Sequence, residues 1–140
     1  MRAYTRAAQS YGSVQLVTGV ATADNVQLIQ MLFDGLAESL ATARGHIEND
    51  NIQEKSNALA RASRIVVGLQ GALDFERGGE LATNLNELYA YITRRILHVN
   101  ATNDLEVLSE VVSLVRDISE AWQSLPSLLS GTSQSSQYVS

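Results

Sequence analysis

There is no cysteine among the 140 residues, which removes disulfides, thiolate nucleophiles and cysteine-ligated zinc together. Proline occurs once and aromatic residues make up 6% of the chain. Both scarcities suit a helical protein better than a sheet sandwich, whose strands draw on aromatic side chains. No stretch approaches the roughly 18 consecutive apolar residues of a membrane-spanning helix. Arg2 and Arg6 are followed by no apolar block of the kind a secretory signal carries. Positive charge is also short, with 10 Lys and Arg against 15 Asp and Glu and a net charge of −5. A generic nucleic-acid binder, which needs a basic face, is therefore not expected. What remains is a chain that is 45% apolar, enough for the core of one domain. The economical reading is a soluble cytosolic protein with no membrane insertion.

The pattern is densest between Asp74 and Asn100. Gly78-Gly79 reads as the stop of one helix, since glycine accepts the left-handed conformations that end helices. Beyond it Leu81, Leu85, Leu88, Ile92, Ile96 and Val99 recur at steps of three and four, which places them on one helix face. Glu80 opens this helix at its positive end, with Arg94, Arg95 and His98 towards the negative end.

Upstream, Asp24 to Gln27 has the form of a capping box. It precedes a stripe of Ile29, Leu32, Leu36, Leu40, Ala43 and Ile47, widened by Leu28, Met31 and Phe33. Gly35 costs this helix about 1 kcal/mol relative to Ala, which points to close approach by another helix. After a polar turn over residues 48–51, either Asp50 or Asn51 can cap a second helix. Its stripe is Leu59, Ala62, Val66, Leu69 and Leu73, with Ala58, Ile65 and Ala72 alongside. Asp74 and Glu76, near its expected C-terminal end, oppose the helix dipole, and folding offers no reason for them there. A further turn, with Asn103 and Glu106 as a capping pair, leads to a helix carrying Leu108, Val111, Val115, Ile118 and Trp122. Its expected end is Leu125-Pro126, because the residue before proline leaves the helical region.

The expected architecture is all-α: an antiparallel up-down-up-down four-helix bundle over residues 23–125. An N-terminal arm or short helix over residues 1–22 packs on it, and a Ser/Gln-rich tail over residues 126–140 is disordered.

Bundles often house metals or phosphotransfer chemistry. Di-iron bundles use Glu-x-x-His on two helices, but the residues three before His46 and His98 are Ala43 and Arg95. Neither histidine lies mid-helix among basic residues that would hold a phosphoryl group. No nucleophile elbow is present, so no enzyme activity and no cofactor are expected. Tyr89 and Tyr91, two apart, point in different directions, so one flanks the core and the other lies at a surface. Each helix carries a core stripe and a second partial apolar row, whereas a bundle needs one seam per helix. The surplus has to be covered by the arm, by a partner, or by both.

Several blocks carry a resemblance. They are L-I-Q-M-L-F-D-G (Leu28 to Gly35), A-L-A-R-A (Ala58 to Ala62), L-D-F-E-R-G-G-E-L-A-T-N-L-N-E-L-Y-A-Y (Leu73 to Tyr91), R-R-I-L-H-V-N (Arg94 to Asn100), D-L-E-V-L-S-E-V (Asp104 to Val111) and E-A-W (Glu120 to Trp122). In order and spacing the chain, from about Tyr11 to Leu125, resembles the flagellar secretion chaperone family, FliS. Asn25 departs from the Ser-Pro that commonly opens helix 1 in that family. The resemblance implies a cytosolic chaperone that binds the disordered C-terminal segment of flagellin, prevents its premature polymerisation and presents it to the flagellar export-gate protein. On matching positions, Tyr11 in the arm is the lead candidate for a lid or client contact. Leu28, Phe33, Leu85, Leu88, Tyr89 and Tyr91 are further candidates, divided between client surface and core. Asn84 and Asn100 either bond client backbone or make caps and helix–helix hydrogen bonds within the bundle. The rival reading is a helical adaptor whose surplus apolar face makes a homodimer, with no masking role.

Overall fold

The structure, a computed structural model, describes residues 23–139, with side chains described from 26 to 124. Four helices follow one another: α1 (Ala23–Glu48), α2 (Ile52–Gly71), α3 (Phe75–Thr102) and α4 (Leu105–Val139). No strand occurs among the described residues, and the fold class is the all-α one expected. The expected arm, Tyr11 included, and the side chains of the Asp24 cap lie outside the described residues.

Each helix packs on its neighbours in the chain, and α4 closes the ring against α1. Among the described residues, the backbones of α1 and α3 do not come close to one another, nor do those of α2 and α4. The two pairs therefore lie across the diagonals of the bundle. Phe33, Leu36 and Leu40 of α1, Leu59, Val66 and Leu69 of α2, Ile92, Ile96 and Val99 of α3, and Leu108 and Val111 of α4 fill the centre with almost no solvent contact. Trp122 fixes the far end by donating its indole N–H to Val26 O at 3.2 Å, joining α4 to the start of α1.

The turns depart from the sequence reading in three places. Between α1 and α2, Asp50 takes a left-handed conformation at φ 58°. Asn51 occupies the N-cap position without a side-chain cap bond. Neither expected capping box forms there; the Asn51 amide instead lies 3.2 Å from His46 Nδ1.

Between α2 and α3 the break comes earlier than the paired glycines: α2 ends at Gly71, and Asp74 Oδ1 accepts the Arg77 N–H at 3.0 Å as the N-cap of α3. Asp74 and Glu76 thus sit at the positive end of α3 rather than the negative end of α2, which removes their conflict with the dipole. Gly79, at φ 50° and ψ −123°, is a kink inside α3.

At the third turn, Asn103 ends α3 in a left-handed conformation and Asp104 caps α4, its Oδ1 accepting the N–H groups of Glu106 and Val107 at 3.0 and 3.2 Å. The cap is therefore Asp104, not Asn103 with Glu106. The α4 backbone also passes Pro126 and stays helical to Val139, where the sequence reading expects an end at Leu125 and a disordered tail. Inside a helix a proline removes one N–H and its ring crowds the carbonyl four residues before it, so α4 continues past Pro126 against that cost.

Candidate functional site

The candidate surface follows from which apolar residues the bundle leaves outside. In α3 the buried row is Ala82, Tyr89, Ile92, Ile96 and Val99, with Leu85 half-buried against it. The steps are again three and four, but the phase in the first half differs from the expected one. Leu81 is 64% exposed and Leu88 36% exposed. Leu85 belongs equally well to either row, so apolarity alone leaves the choice open; burial of the large Tyr89 ring decides it.

Leu81, Asn84, Leu88, Tyr91 and Arg95 form an outer stripe at steps of three and four. It runs along the α4 edge of the helix, because the Tyr91 hydroxyl donates to Glu110 Oε1 and Arg95 pairs with Glu110 Oε2 at 3.4 Å. That hydrogen bond from Tyr91 is the main cause holding the Glu110 carboxyl below the ordinary range, and the same bond raises Tyr91. The guanidiniums of Arg94 and Arg95 both stand 5.8 Å from the Tyr91 ring centre, within cation–π reach. Tyr91 is thus tied to α4, while Leu81, Asn84 and Leu88 are open to solvent.

The other candidates divide. Phe33 and Tyr89 are core residues, 2% and 4% exposed; burial pushes the Tyr89 phenol up to about 12, so it stays neutral. Asn100 faces α2: its Oδ1 accepts from Ser56 Oγ at 3.2 Å and its backbone O from Lys55 Nζ at 2.9 Å. Leu28 lies on the outside of α1, with the more exposed Met31 one turn on. Since α1 and α3 are diagonal, Leu28 and the α3 stripe do not share one pocket.

Grooves run along both sides of α1. One, about 280 Å³, lies against α4 between Phe33, Ala37, Val112 and Val115 with Asp34 and Arg116 at its rim. The other, about 370 Å³, lies against α2 between Met31, Leu32, Gly35, Arg61, Arg64 and Ile65. A β-carbon on Gly35 would stand 3.4 Å from Ile65 Cδ1 and 3.6 Å from an Arg61 nitrogen. The glycine therefore faces α2, as its cost in the helix suggested, at a distance an alanine would fill by ordinary contact. Sequence reasoning missed Leu81, taken as core, and exposed Phe75 and Val67. The signal for Phe75 is Asp74, whose cap makes Phe75 the first residue of α3, where it is half exposed.

Among the described residues no helix is long and apolar enough to cross a membrane, and no group of three or more acidic or histidine side chains is placed to hold a metal ion.

The family model described as "Flagellar protein FliS" matches residues 7–128. The "Flagellar secretion chaperone FliS" of Salmonella typhimurium is 42% identical over 118 residues, which cover 84% of this chain and 87% of the relative. The "Flagellar secretion chaperone FliSB" of Pseudomonas aeruginosa is 40% identical over 120 residues, 86% of this chain and 95% of the relative. The FliS of Bacillus subtilis is 34% identical over 104 residues, 74% and 77% of the two chains. Matched along most of its length and in the blocks that form the bundle, the chain belongs to the FliS family of flagellar proteins.

Proposed function

We propose that this protein is a cytosolic flagellar export chaperone. It binds the disordered C-terminal segment of flagellin, holds it back from premature polymerisation and delivers it to the export gate of the flagellar type III apparatus. The names of its relatives support the class. One observation carries the finer reading: the apolar surplus is arranged in rows. Leu28 and Met31 stand one turn apart on α1, and Leu81 and Leu88 two turns apart on α3, all exposed. Rows of this kind accept an amphipathic partner laid along a helix. Because α1 and α3 are diagonal, an occupant that reaches both rows crosses α2 or α4, which suits a pliable chain better than a globular one. Ordering such a chain costs about 2–5 kcal/mol, so affinity has to come from a long contact. Masking is stoichiometric, with no nucleotide or metal in the cycle.

Calorimetry of the full chain with the C-terminal segment of the host's flagellin tests this. One-to-one binding with a negative heat-capacity change is expected, the sign of apolar burial. Absence of binding, together with a dimer that sediments the same with and without the segment, would replace the chaperone reading with that of a homodimeric adaptor.

A further inference from the structure

The groove between α1 and α2 combines an apolar floor with two guanidiniums on one rim, and their positions are unequal. The groove is lined from α1 by Met31, Leu32 and Gly35 and from α2 by Arg61, Arg64 and Ile65. Arg61 meets Glu38, with Nη1 and Oε1 3.8 Å apart, which closes the groove at that end. Arg64 comes one turn further along α2, where the α1 rim offers only Gly35 and Met31. Among the described residues it has no acidic partner. Asp34, the nearest carboxylate in sequence on α1, points to the other side: it lines the groove against α4 and accepts from Gln30 Nε2 at 3.0 Å. An exposed guanidinium beside Met31, Leu32 and Ile65, in a chain of net charge −5, is a local exception to the sign of the whole molecule.

We propose that this groove is a carboxylate-reading subsite for the bound client segment. Apolar side chains of the segment lie on Met31, Leu32 and Ile65, and an Asp or Glu of the same segment pairs with Arg64. Arg61 adds positive potential from behind its own bridge to Glu38. The planar fork of an arginine suits a carboxylate at a fixed position, so Arg64 sets the register of a partner whose apolar contacts alone would allow sliding. This inference rests on the client being a flagellin C-terminal segment and adds which part of it is read, and by what.

The test is a double-mutant cycle by calorimetry on the full chain. Arg64→Ala is combined with single Asp→Asn and Glu→Gln changes along the host flagellin segment. Arg64 is exposed, so the variant is expected to keep the wild-type melting temperature. Arg64→Ala should weaken binding roughly fivefold at low salt, with the difference shrinking as salt screens the pair. One carboxylate of the segment should give the same loss and no further loss in the double variant. Affinity unchanged by Arg64→Ala, or losses that add for every carboxylate, would overturn the subsite while leaving the chaperone reading intact. Failure of the wild-type protein to bind the segment at all would instead overturn the chaperone reading on which it rests.

Discussion

Lys55 Nζ donates to Asn103 Oδ1 at 2.7 Å between neighbouring helices, from the first turn of α2 to the left-handed residue that ends α3. This is the only lysine of the chain, and it is 5% exposed. Its second bond, 2.9 Å to Asn100 O, takes one of the carbonyls that a helix end leaves without a partner. The ammonium thus sits at the negative end of α3, where the helix dipole favours it. Replacing Lys55 by Met should cost about 2 kcal/mol, since two polar groups lose a charged donor. A fall in melting temperature of roughly 5–10 °C is the expected reading. Asn103→Gly keeps the left-handed backbone and loses only the side-chain bond, so its fall should be smaller. A Lys55→Met variant as stable as the wild type would remove the tie from the list of what holds α2 and α3 together.

Gly78 and Gly79 are both required, for different reasons. A β-carbon on Gly78 would stand 2.8 Å from Ala82 Cβ, a separation that real side chains do not tolerate, whereas one on Gly79 meets nothing within 4 Å. Gly79 is constrained by its backbone, φ 50° and ψ −123°, a region nearly closed to other residues. Alanine at either position should destabilise the protein by about 1–3 kcal/mol. The two are separable by rescue. Ala82→Gly should restore part of the loss caused by Gly78→Ala, because it removes the opposing methyl, and none of the loss caused by Gly79→Ala. Equal rescue of both in chemical denaturation would contradict this division.

These same residues show where sequence reading stops. The stripes of α1, α2 and α4 could be read directly, because a period of three and four in large apolar residues admits one phase there. Leu36, Leu40, Leu59, Val66, Leu108 and Val111 are at the centre as expected. In α3 the first half admits two phases, with Leu81 and Leu88 in one and Ala82 and Tyr89 in the other. The larger leucines favour the wrong one. The glycine pair reads as a break, but helix stop and kink use the same residue, and only the Asp74 cap distinguishes them. Asp74 and Glu76 were the clue: acids that seemed misplaced at one helix end belong to the start of the next. Of the candidate surface, the residue types were legible and their grouping was not, because whether α1 and α3 are neighbours or diagonal is a property of the packed bundle.

The bond from Tyr91 to Glu110 has a pH signature. The Glu110 carboxyl is held below its ordinary range, first by that hydrogen bond. A depressed carboxylate adds stability that is present above its unfolded value and is lost as pH falls through the folded one. Tyr91 is raised, first by the same bond, so the contribution also fades as pH climbs past the ordinary phenol range, around 10. Tyr91→Phe should therefore be less stable than the wild type at neutral pH. The gap between their melting temperatures should close on acidification below about pH 4, where carboxylates take up protons. A gap that stays constant from neutral to acid pH would mean that ring packing, not the hydrogen bond, makes the difference.

Exposure separates the α3 and α1 candidates into two experimental classes. Phe33 is fully enclosed, so Phe33→Ala should cost about 3–5 kcal/mol through the cavity it leaves. Its effect on client binding should follow the fraction of protein that remains folded. Leu81 is 64% exposed, and an apolar surface residue of this kind changes stability by no more than about 0.5 kcal/mol when shortened. If the outer α3 stripe receives the flagellin segment, Leu81→Ala should weaken binding by about 1 kcal/mol, the threshold at which interface residues begin to matter, with the melting temperature unmoved. Leu88→Ala, two turns along the same stripe, should behave alike. The double variant should lose about the sum of the two, because side chains about 10 Å apart along a helix share no contacts and their effects add. A Leu81, Leu88 double variant that melts normally and binds the segment as tightly as wild type would take the stripe out of the interface and leave the α1 grooves as the surfaces to test.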